Sequence, residues 1–265
     1  MKIGFIGGGA MAEALIGGII KHKIAALADI YISDHKKDRC TYLSDTYGVA
    51  AEVGADSFIG KIDVLFLAIK PQSAQKAMKE VYVQVNQKTV VVSIVAGLLT
   101  TNIEKYFSMQ PVIRVMPNTP VSVGEGMSVL ALGKNASEED GRKIQTILSA
   151  VGKALVVKEA AMDAVTGLSG SGPGYAFVII DALSDAGVQA GLSRKTSITL
   201  AAQTLLGAAK MVLETGKHPA ELRDQVTSPA GTTIAGVRVM EQRAVRAALI
   251  DAVLAATDKS KEMGK

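Results

Sequence analysis

The 265-residue sequence contains one cysteine, three histidines and no tryptophan. A single cysteine, Cys40, excludes an intrachain disulfide, and a lone thiol is typical of proteins of the reducing cytoplasm. The histidines are far apart in the sequence, so no cysteine–histidine cluster has the spacing of a zinc site. We therefore expect a cytoplasmic protein without a bound metal.

Aromatic residues and net charge are also scarce. Phe and Tyr together number eleven, and Lys and Arg number 29 against 25 Asp and Glu. Little is available for stacking on bases and the small positive surplus is spread along the chain, so nucleic acid is an unfavourable partner. The apolar N-terminal stretch is interrupted by Gly7-Gly8-Gly9 and by Glu13. We therefore expect neither a signal peptide nor a transmembrane segment.

The chain divides into two halves with different residue patterns. Up to about residue 159, short β-rich segments alternate with helical patterns, which predicts a doubly wound parallel α/β sheet of the Rossmann type. From residue 160 the strand signals disappear, and Ala and Leu recur at helical spacing. We predict a dinucleotide-binding domain over 1–159 and an all-α domain over 160–265, which dimerises because its own core is limited. The predicted strands are 2–6, 30–33, 63–69, 89–94, 112–116, 127–132 and 154–157, and the main predicted helices are 10–22, 36–47, 175–190, 195–214 and 236–261.

The strongest local motif follows the first predicted strand and opens the first predicted helix. Gly7, Gly9 and Ala12 fit the pattern G-x-G-x-x-A. Gly7 permits a tight turn, Gly9 lets the backbone approach a pyrophosphate, and the helix N-terminus attracts phosphate groups. The motif predicts a nicotinamide dinucleotide site formed by Gly7, Gly8, Gly9, Ala10 and Met11.

The end of the second predicted strand is expected to determine which dinucleotide binds. Asp34 lies somewhat farther from Gly7 than the usual spacing of about 20 residues, and it could accept a hydrogen bond from a ribose 2′-hydroxyl. Such a contact favours NADH. Ser33, Lys36 and Lys37 could instead hold a 2′-phosphate and favour NADPH. Both alternatives remain open, so the predicted cofactor is NADPH or NADH.

Three further segments end predicted strands at the carboxyl edge of the sheet, where doubly wound folds bind their ligands. At the first of these ends Lys70 could face the cofactor, at the second small residues leave room for a ribose or a nicotinamide, and two prolines stiffen the third. The cofactor contacts predicted from these segments are Ala68, Lys70, Pro71, Val95, Ala96 and Asn118.

Two loops of the second half precede predicted helices. Residues 167–175 contain four glycines, and residues 227–233 end with Thr232 and Thr233 at a helix start. Amides at a helix N-terminus can hold a carboxylate, and threonine hydroxyls can bond a substrate nitrogen. From the residues alone, helix packing and ordinary capping explain the two loops equally well.

Taken together, these motifs resemble those of one family, the pyrroline-5-carboxylate reductases. The Ser228–Ile234 loop is the most discriminating segment, since general dehydrogenases lack it. Ala230 replaces the commoner glycine of that loop, and Gly174 stands where alanine is usual. Similar segments occur in order across nearly the whole chain: 4–11, 68–72, 92–97, 114–120, 167–173, 208–216 and 228–234.

The resemblance implies that NADPH or NADH reduces the C=N bond of L-1-pyrroline-5-carboxylate to L-proline, the last step of proline biosynthesis. It also implies homodimers built from the helical domain, in some relatives assembled into decamers, with a neighbouring subunit completing the pocket. By the same resemblance, amides around Gly231, Thr232 and Thr233 would hold the substrate carboxylate. Ser171 and Gly172 would line the pocket. The Thr233 hydroxyl would contact the ring nitrogen and serve as the catalytic group.

Two other functions remain open at this stage. Reductases of the β-hydroxyacid dehydrogenase type usually place a catalytic lysine on the first interdomain helix, but residues 160–190 contain no lysine. A non-catalytic dinucleotide sensor would keep the glycine motif and would not need the threonine loop. Tight cofactor binding without reduction of any imine would favour the sensor.

Overall fold

The computed structural model describes residues 1–264, which form two compact units. The first unit comprises Met1–Gly170 and the C-terminal residues from Ala256, and the second comprises Ser171–Ala255. This division differs from the predicted domains, 1–159 and 160–265. Met162 is fully buried against the end of the sheet, and the Ser260 hydroxyl donates to the Asp163 carboxylate at 2.7 Å. These contacts keep both segments with the first unit.

The first unit is built on one eight-stranded sheet. Its strands are β1 (Ile3–Ile6), β2 (Ile30–Ser33), β3 (Ala50–Glu52), β4 (Val64–Leu67), β5 (Val90–Ser93), β6 (Val112–Met116), β7 (Gly126–Leu132) and β8 (Gly152–Val156). The order across the sheet is β3-β2-β1-β4-β5-β6-β7-β8, and β1 pairs in parallel with both β2 and β4. The strand order therefore reverses beside β1, which opens a ligand-binding crevice at its carboxyl end. The predicted Rossmann α/β class is confirmed.

Two strands depart from the predicted sheet. The sequence analysis missed β3, which is a three-residue edge strand with exposed ends and no apolar run. The predicted parallel sheet has one antiparallel pair, because β7 runs antiparallel to β6. The connection between them contains only a short 3-10 turn, Thr119–Val123. A parallel return requires a crossover of a dozen or more residues, so this short connection reverses the chain direction.

Helices cover both faces of the sheet. Alternate residues of β4 illustrate the two cores, because Val64 and Phe66 pack on one face while Leu65 and Leu67 pack on the other. Phe5 stacks on Phe66 with ring centroids 4.8 Å apart. The helices of this unit are α1 (Ala10–Lys21), α2 (Lys37–Tyr47), α3 (Pro71–Val81), α4 (Thr100–Ile103), α5 (Glu138–Leu148) and α6 (Met162–Val165).

The second unit is helical, as predicted. Its helices are α7 (Gly172–Gln189), α8 (Arg194–Thr215), α9 (Pro219–Gln225), α10 (Thr232–Gln242) and α11 (Val245–Met263), the last of which ends in the first unit. The predicted single helix over 236–261 is divided, because Ala244 adopts a left-handed φ of +55° between α10 and α11. Helix α9 was not predicted; it is only seven residues long, and Pro219 occupies its first turn.

Large apolar side chains of the second unit are exposed in the single chain. Phe177 and Leu213 are each more than 60% exposed, whereas Ala201 and Leu222 are the hydrophobic residues of this unit that are buried. By length and composition alone α8 could cross a membrane, although the sequence analysis expected no such segment. A helical unit with so little core of its own requires a partner surface.

Candidate active site

The loop between β1 and α1, residues 7–9, is called the glycine loop here and has the geometry of a phosphate-binding turn. Gly7 has a φ of +97°, and a Cβ there would lie 2.3 Å from the carbonyl oxygen of Ala68, so glycine is required. Gly9 precedes α1 without a side-chain cap, and a Cβ at Gly9 would meet no atom within 4 Å. The amides of Ala10 and Met11 are therefore available to an anion.

Asp34 lies directly beyond the end of β2, with its carboxylate bonded to the backbone. Oδ2 accepts from the N–H of Gly8 at 2.9 Å, and Oδ1 accepts from the N–H of Lys36 at 3.0 Å. The carbonyl of Ser33 accepts from the N–H of Gly7 at 2.7 Å. The structure thus brings Ser33 and Asp34 to the glycine loop, with Lys36 exposed beside them.

The end of β4 also reaches the glycine loop. The N–H of Ala68 donates to the carbonyl of Ile6 at 2.8 Å, which places Ala68 directly beside the turn. Lys70 is exposed at the start of α3, and Pro71 occupies the first helical position. This arrangement leaves the Lys70 side chain at the carboxyl edge of the sheet.

The end of β5 is a loop of small residues. Val95 is buried and Ala96 is partly exposed. Gly97 has a φ of +73°, and a Cβ there would lie 3.2 Å from the carbonyl oxygen of Met263. The end of α11 therefore lies against this loop, and bulkier residues would not fit between them.

The side-chain amide of Asn118 joins two segments of backbone. Nδ2 donates to the carbonyl of Ser169 at 3.2 Å, and Oδ1 accepts from the N–H of Met127 at 2.8 Å. Both polar atoms are thus bonded to the protein. We interpret Asn118 as a positioning residue for the loop after β6, and its predicted contact with the cofactor stays a prediction.

A charged cluster beside the glycine loop was missed by the sequence analysis. The Arg39 guanidinium bonds the Glu13 carboxylate, and its Nε donates to the carbonyl of Gly8 at 2.5 Å. The hydroxyls of Tyr42 and Tyr47 donate to Glu13 at 3.0 and 2.9 Å. Burial raises the pKa of Glu13, but the hydrogen bonds from Arg39, Tyr47 and Tyr42 outweigh it and hold the pKa below the ordinary 4.5. The cluster could have been anticipated from Glu13, which is the single carboxylate in the largely apolar predicted helix 10–22.

In the second unit, the start of α7 exposes bare backbone. No side chain caps α7, which follows Ser171. A Cβ at Gly172 or Gly174 would meet no atom within 4 Å, so a ligand can approach this backbone closely. The preceding residues, Thr166–Gly170, form a π-helical turn, a feature that is frequent at functional sites.

The start of α10 is a second uncapped helix N-terminus. Gly231 precedes it with extended backbone and its N–H donates to the carbonyl of Ser228 at 3.0 Å, while no side chain caps the helix. Thr232 and Thr233 are exposed. Their amides and hydroxyls therefore form an open site for a carboxylate and a neighbouring polar atom. Ala230 adopts a left-handed φ of +55°, where the commoner glycine would be relaxed.

Comparisons with known proteins agree with this geometry. A family model described as pyrroline-5-carboxylate reductase dimerisation matches residues 159–263, and one described as NADP oxidoreductase, coenzyme F420-dependent, matches residues 2–97. The chain is 45% identical over 265 residues to pyrroline-5-carboxylate reductase of Methanosarcina acetivorans, covering 100% of this chain and 98% of that protein. The chain belongs to the pyrroline-5-carboxylate reductase family.

Other reductases of the family match along their whole length. The Arabidopsis thaliana enzyme is 43% identical over 264 residues, covering 100% of this chain and 96% of that protein. The structure from Coxiella burnetii has a TM-score of 0.93 at 34% identity, covering 100% of this chain and 98% of that chain. A Plasmodium falciparum structure with NADP bound has a TM-score of 0.88 at 31% identity, with the same coverage of both chains.

Family membership also explains the exposed helices. The dimerisation model spans α7 to α11, and α7, α8, α10 and α11 carry large apolar side chains that are exposed in the single chain. This pyrroline-5-carboxylate reductase family member is therefore a homo-oligomer. Within residues 1–264, no three His, Cys, Asp or Glu side chains lie where they could share a metal ion.

Proposed function

We propose that the chain is a pyrroline-5-carboxylate reductase, which converts L-1-pyrroline-5-carboxylate to L-proline with NADPH or NADH. The observation that carries this proposal is the similarity to reductases of that name, which runs through both units without a gap in coverage. The geometry adds an uncapped helix N-terminus in each unit, at α1 and at α10. One suits a pyrophosphate and the other a carboxylate, the anionic groups of cofactor and substrate.

The cofactor site is assigned to the carboxyl edge of the sheet beside β1. The uncapped amides of α1 suit the pyrophosphate, and the open space at Gly9 lets it approach the backbone. When bound, the reduced nicotinamide supplies a hydride to the carbon of the C=N bond. The proposed contacts are Gly7, Gly8, Gly9, Ala10, Met11, Ser33, Asp34, Lys36, Ala68, Lys70, Pro71, Val95, Ala96 and Asn118.

The substrate carboxylate is assigned to the start of α10. The proposed contacts are Gly231, Thr232 and Thr233. The amides of Thr232 and Thr233 lie at an uncapped helix end and favour a negative charge, and Gly231, whose amide is bonded to the Ser228 carbonyl, lines the same turn. Ser171 and Gly172, at the uncapped start of α7, are the proposed second wall of the pocket. A carboxylate held by several amides fixes the orientation of a five-membered ring, and with it the face that is reduced.

Proton transfer is the remaining chemical task of the protein. Reduction of the imine requires one proton on the ring nitrogen, and a cyclic imine becomes reactive once it is protonated. The exposed Thr233 hydroxyl can accept a hydrogen bond from that nitrogen or pass it a proton from water. Thr233 is therefore the proposed catalytic residue, and positioning supplies much of the rate.

Similarity to the same family supports a proposed assembly and location. We assign a homodimer through the helical unit, with the decamer of some relatives as the larger assembly. Cys40 is buried as a free thiol on α2, in keeping with a reducing compartment, and we place the enzyme in the cytoplasm.

Product analysis tests the proposal. The purified protein is incubated with pyrroline-5-carboxylate and either NADPH or NADH, and L-proline and D-proline are separated by chiral chromatography. We expect one L-proline for each nicotinamide oxidised. Cofactor binding without proline formation would instead support a dinucleotide sensor. Oxidation of a β-hydroxyacid, coupled to reduction of the oxidised nicotinamide, would support the other reductase class.

A further inference from the structure

The corner between β2 and α2 decides which adenosine ribose the cofactor site accepts. NADPH carries a phosphate on the 2′-oxygen of this ribose, whereas NADH carries a hydroxyl. The glycine loop does not determine the choice, because NADPH and NADH carry the same pyrophosphate. The three groups that carry the argument are the carboxylates of Asp34 and Glu13 and the guanidinium of Arg39.

Asp34 is a fixed negative charge at this corner. Its two carboxylate oxygens accept from the backbone amides of Gly8 and Lys36, and its side chain is 10% exposed. A carboxylate oxygen has lone pairs for a second donor, so a ribose hydroxyl can bond there as well. A 2′-phosphate has no proton to donate at neutral pH and carries about −1.5 to −2 charges, so it would be repelled.

Arg39 is the guanidinium that a 2′-phosphate would need, because a planar fork binds phosphate in a bidentate manner. It is already engaged. Its Nε donates to the Gly8 carbonyl, and another guanidinium nitrogen bonds Glu13, which Tyr42 and Tyr47 also hold. Glu13 thus neutralises Arg39 and directs it toward α1.

The other basic side chains at this corner are exposed. Lys36 and Lys37 have solvated side chains, and the His35 ring, 83% exposed, lies 3.3 Å from Asp34. Exposed charges on flexible stems are screened and contribute little. They offset the repulsion between the Asp34 carboxylate and a 2′-phosphate only weakly. That carboxylate is held in place by two backbone amides and is mostly shielded from water.

We infer that this chain selects NADH over NADPH, with Asp34 as the specificity-determining residue and Glu13 as a positioning residue that withholds Arg39 from a 2′-phosphate. This inference rests on the proposed function for the identity of the cofactor. It adds which of the two coenzymes binds and why.

Binding of fragments without a nicotinamide tests the inference independently of turnover. Calorimetry on the full-length protein compares ADP-ribose with 2′-phospho-ADP-ribose. We expect the unphosphorylated fragment to bind at least about tenfold more tightly. Equal binding, or tighter binding of the phosphorylated fragment, would overturn the inference. A preference for ADP-ribose in a protein that fails to reduce the imine would instead count against the proposed function alone.

Variants separate the two roles. Asp34→Asn is expected to shift the ratio of the two dissociation constants roughly tenfold toward the phosphorylated fragment. Glu13→Gln is expected to tighten binding of the phosphorylated fragment several-fold while ADP-ribose binding stays unchanged. The matched control is Glu138→Gln, which removes an exposed pair with Arg142 at 3.4 Å and is expected to leave the ratio unchanged.

A double variant keeps the Glu13 role falsifiable if the single variant is less stable. Arg39→Ala alone is expected to leave the wild-type ratio unchanged, and Glu13→Gln/Arg39→Ala is expected to lose the gain seen with Glu13→Gln. Melting temperatures are recorded for every variant. If the ratio of the two dissociation constants changes with the melting temperature of the variants, and does not depend on whether Arg39 is present without Glu13, then Glu13 has only a structural role.

Discussion

The carboxylate of Glu159 lies 3.4 Å from the guanidinium of Arg114, whose side chain is only 3% exposed. The same carboxylate accepts from the N–H of Thr100 at 2.8 Å and from the hydroxyl of that residue. Glu159 therefore joins β6, the start of α4 and the turn before α6. One acidic side chain holds together the sheet and the segment that leads to the second unit.

Glu159→Gln is expected to lower the free energy of unfolding by about 2 kcal/mol, because it leaves the buried Arg114 charge without its partner. Urea unfolding followed by circular dichroism, at one protein concentration, measures the change. Glu80→Gln removes an exposed pair with Lys76 at 3.9 Å and is the control. It is expected to cost less than about 0.5 kcal/mol. Equal losses in both variants would contradict a structural role for the buried pair.

The two outer glycines of the β1–α1 loop are expected to differ in their response to alanine. Gly7→Ala adds a Cβ 2.3 Å from a carbonyl oxygen at a positive φ, so it is expected to destabilise the protein by more than about 2 kcal/mol. Gly9→Ala adds a Cβ in open space, so stability is unchanged, but the methyl group occupies the approach of the pyrophosphate. Calorimetric titration with the dinucleotide is expected to show roughly tenfold weaker binding. Unweakened binding to Gly9→Ala would remove this loop from the cofactor site.

Thr233→Ala tests the proposed catalytic hydroxyl. We expect kcat/KM for the imine to fall roughly tenfold or more, because one hydrogen bond to the ring nitrogen is lost, while the cofactor dissociation constant stays unchanged. Thr199→Ala is the matched control, since Thr199 is exposed on α8 and its hydroxyl bonds only the carbonyl of Lys195 among the contacts described. Wild-type turnover by Thr233→Ala would exclude this residue from the mechanism.

Ala230 and Ala244 both hold a φ of +55°, which disfavours residues with a Cβ. Replacement of either by glycine is expected to relieve this strain and to stabilise the protein by about 0.5 kcal/mol, less than the full strain because glycine also loosens the unfolded chain. Thermal unfolding of the two variants checks the change. A lower melting temperature for both would show that the left-handed backbone is not strained.

The Glu13 cluster predicts a pH dependence of stability. The pKa of Glu13 is lowered in the folded protein, because its hydrogen bonds outweigh burial. A lowered pKa means that the stabilisation is fully present above the ordinary pKa of 4.5, taken for the unfolded chain, and is lost as the pH falls through the folded pKa. The difference in unfolding free energy between the wild type and Glu13→Gln is thus expected to be constant near neutral pH and to shrink below about pH 4. A difference that grows on acidification would contradict this.

Local signals in the sequence predicted much of the fold. The glycine motif lies between a strand and a helix, so its neighbours in sequence are also its structural context. Ser137 begins α5 with a capping box formed with Asp140, three residues away. The Rossmann class and the helical second half were predicted correctly because alternation of periodic segments is visible without tertiary contacts.

Features that depend on packing between distant residues were not predictable from the sequence. Glu13 and Arg39 are 26 residues apart, and Asn118 and Ser169 are 51 residues apart. The direction of β7 was missed because its central residues are buried on both faces of the sheet, which gives the continuous apolar run that is typical of a parallel strand. The break at Ala244 was missed because neither glycine nor proline marks it.

Reduction of the C=N bond of pyrroline-5-carboxylate is the activity proposed for this chain. It is tested by following the loss of reduced-nicotinamide absorbance by the purified protein with and without the imine, in parallel with NADH and NADPH. We expect oxidation that requires the imine, saturates with it, and is faster with NADH at equal low concentrations of the two cofactors. No imine-dependent oxidation by a folded protein that binds the cofactor would contradict it.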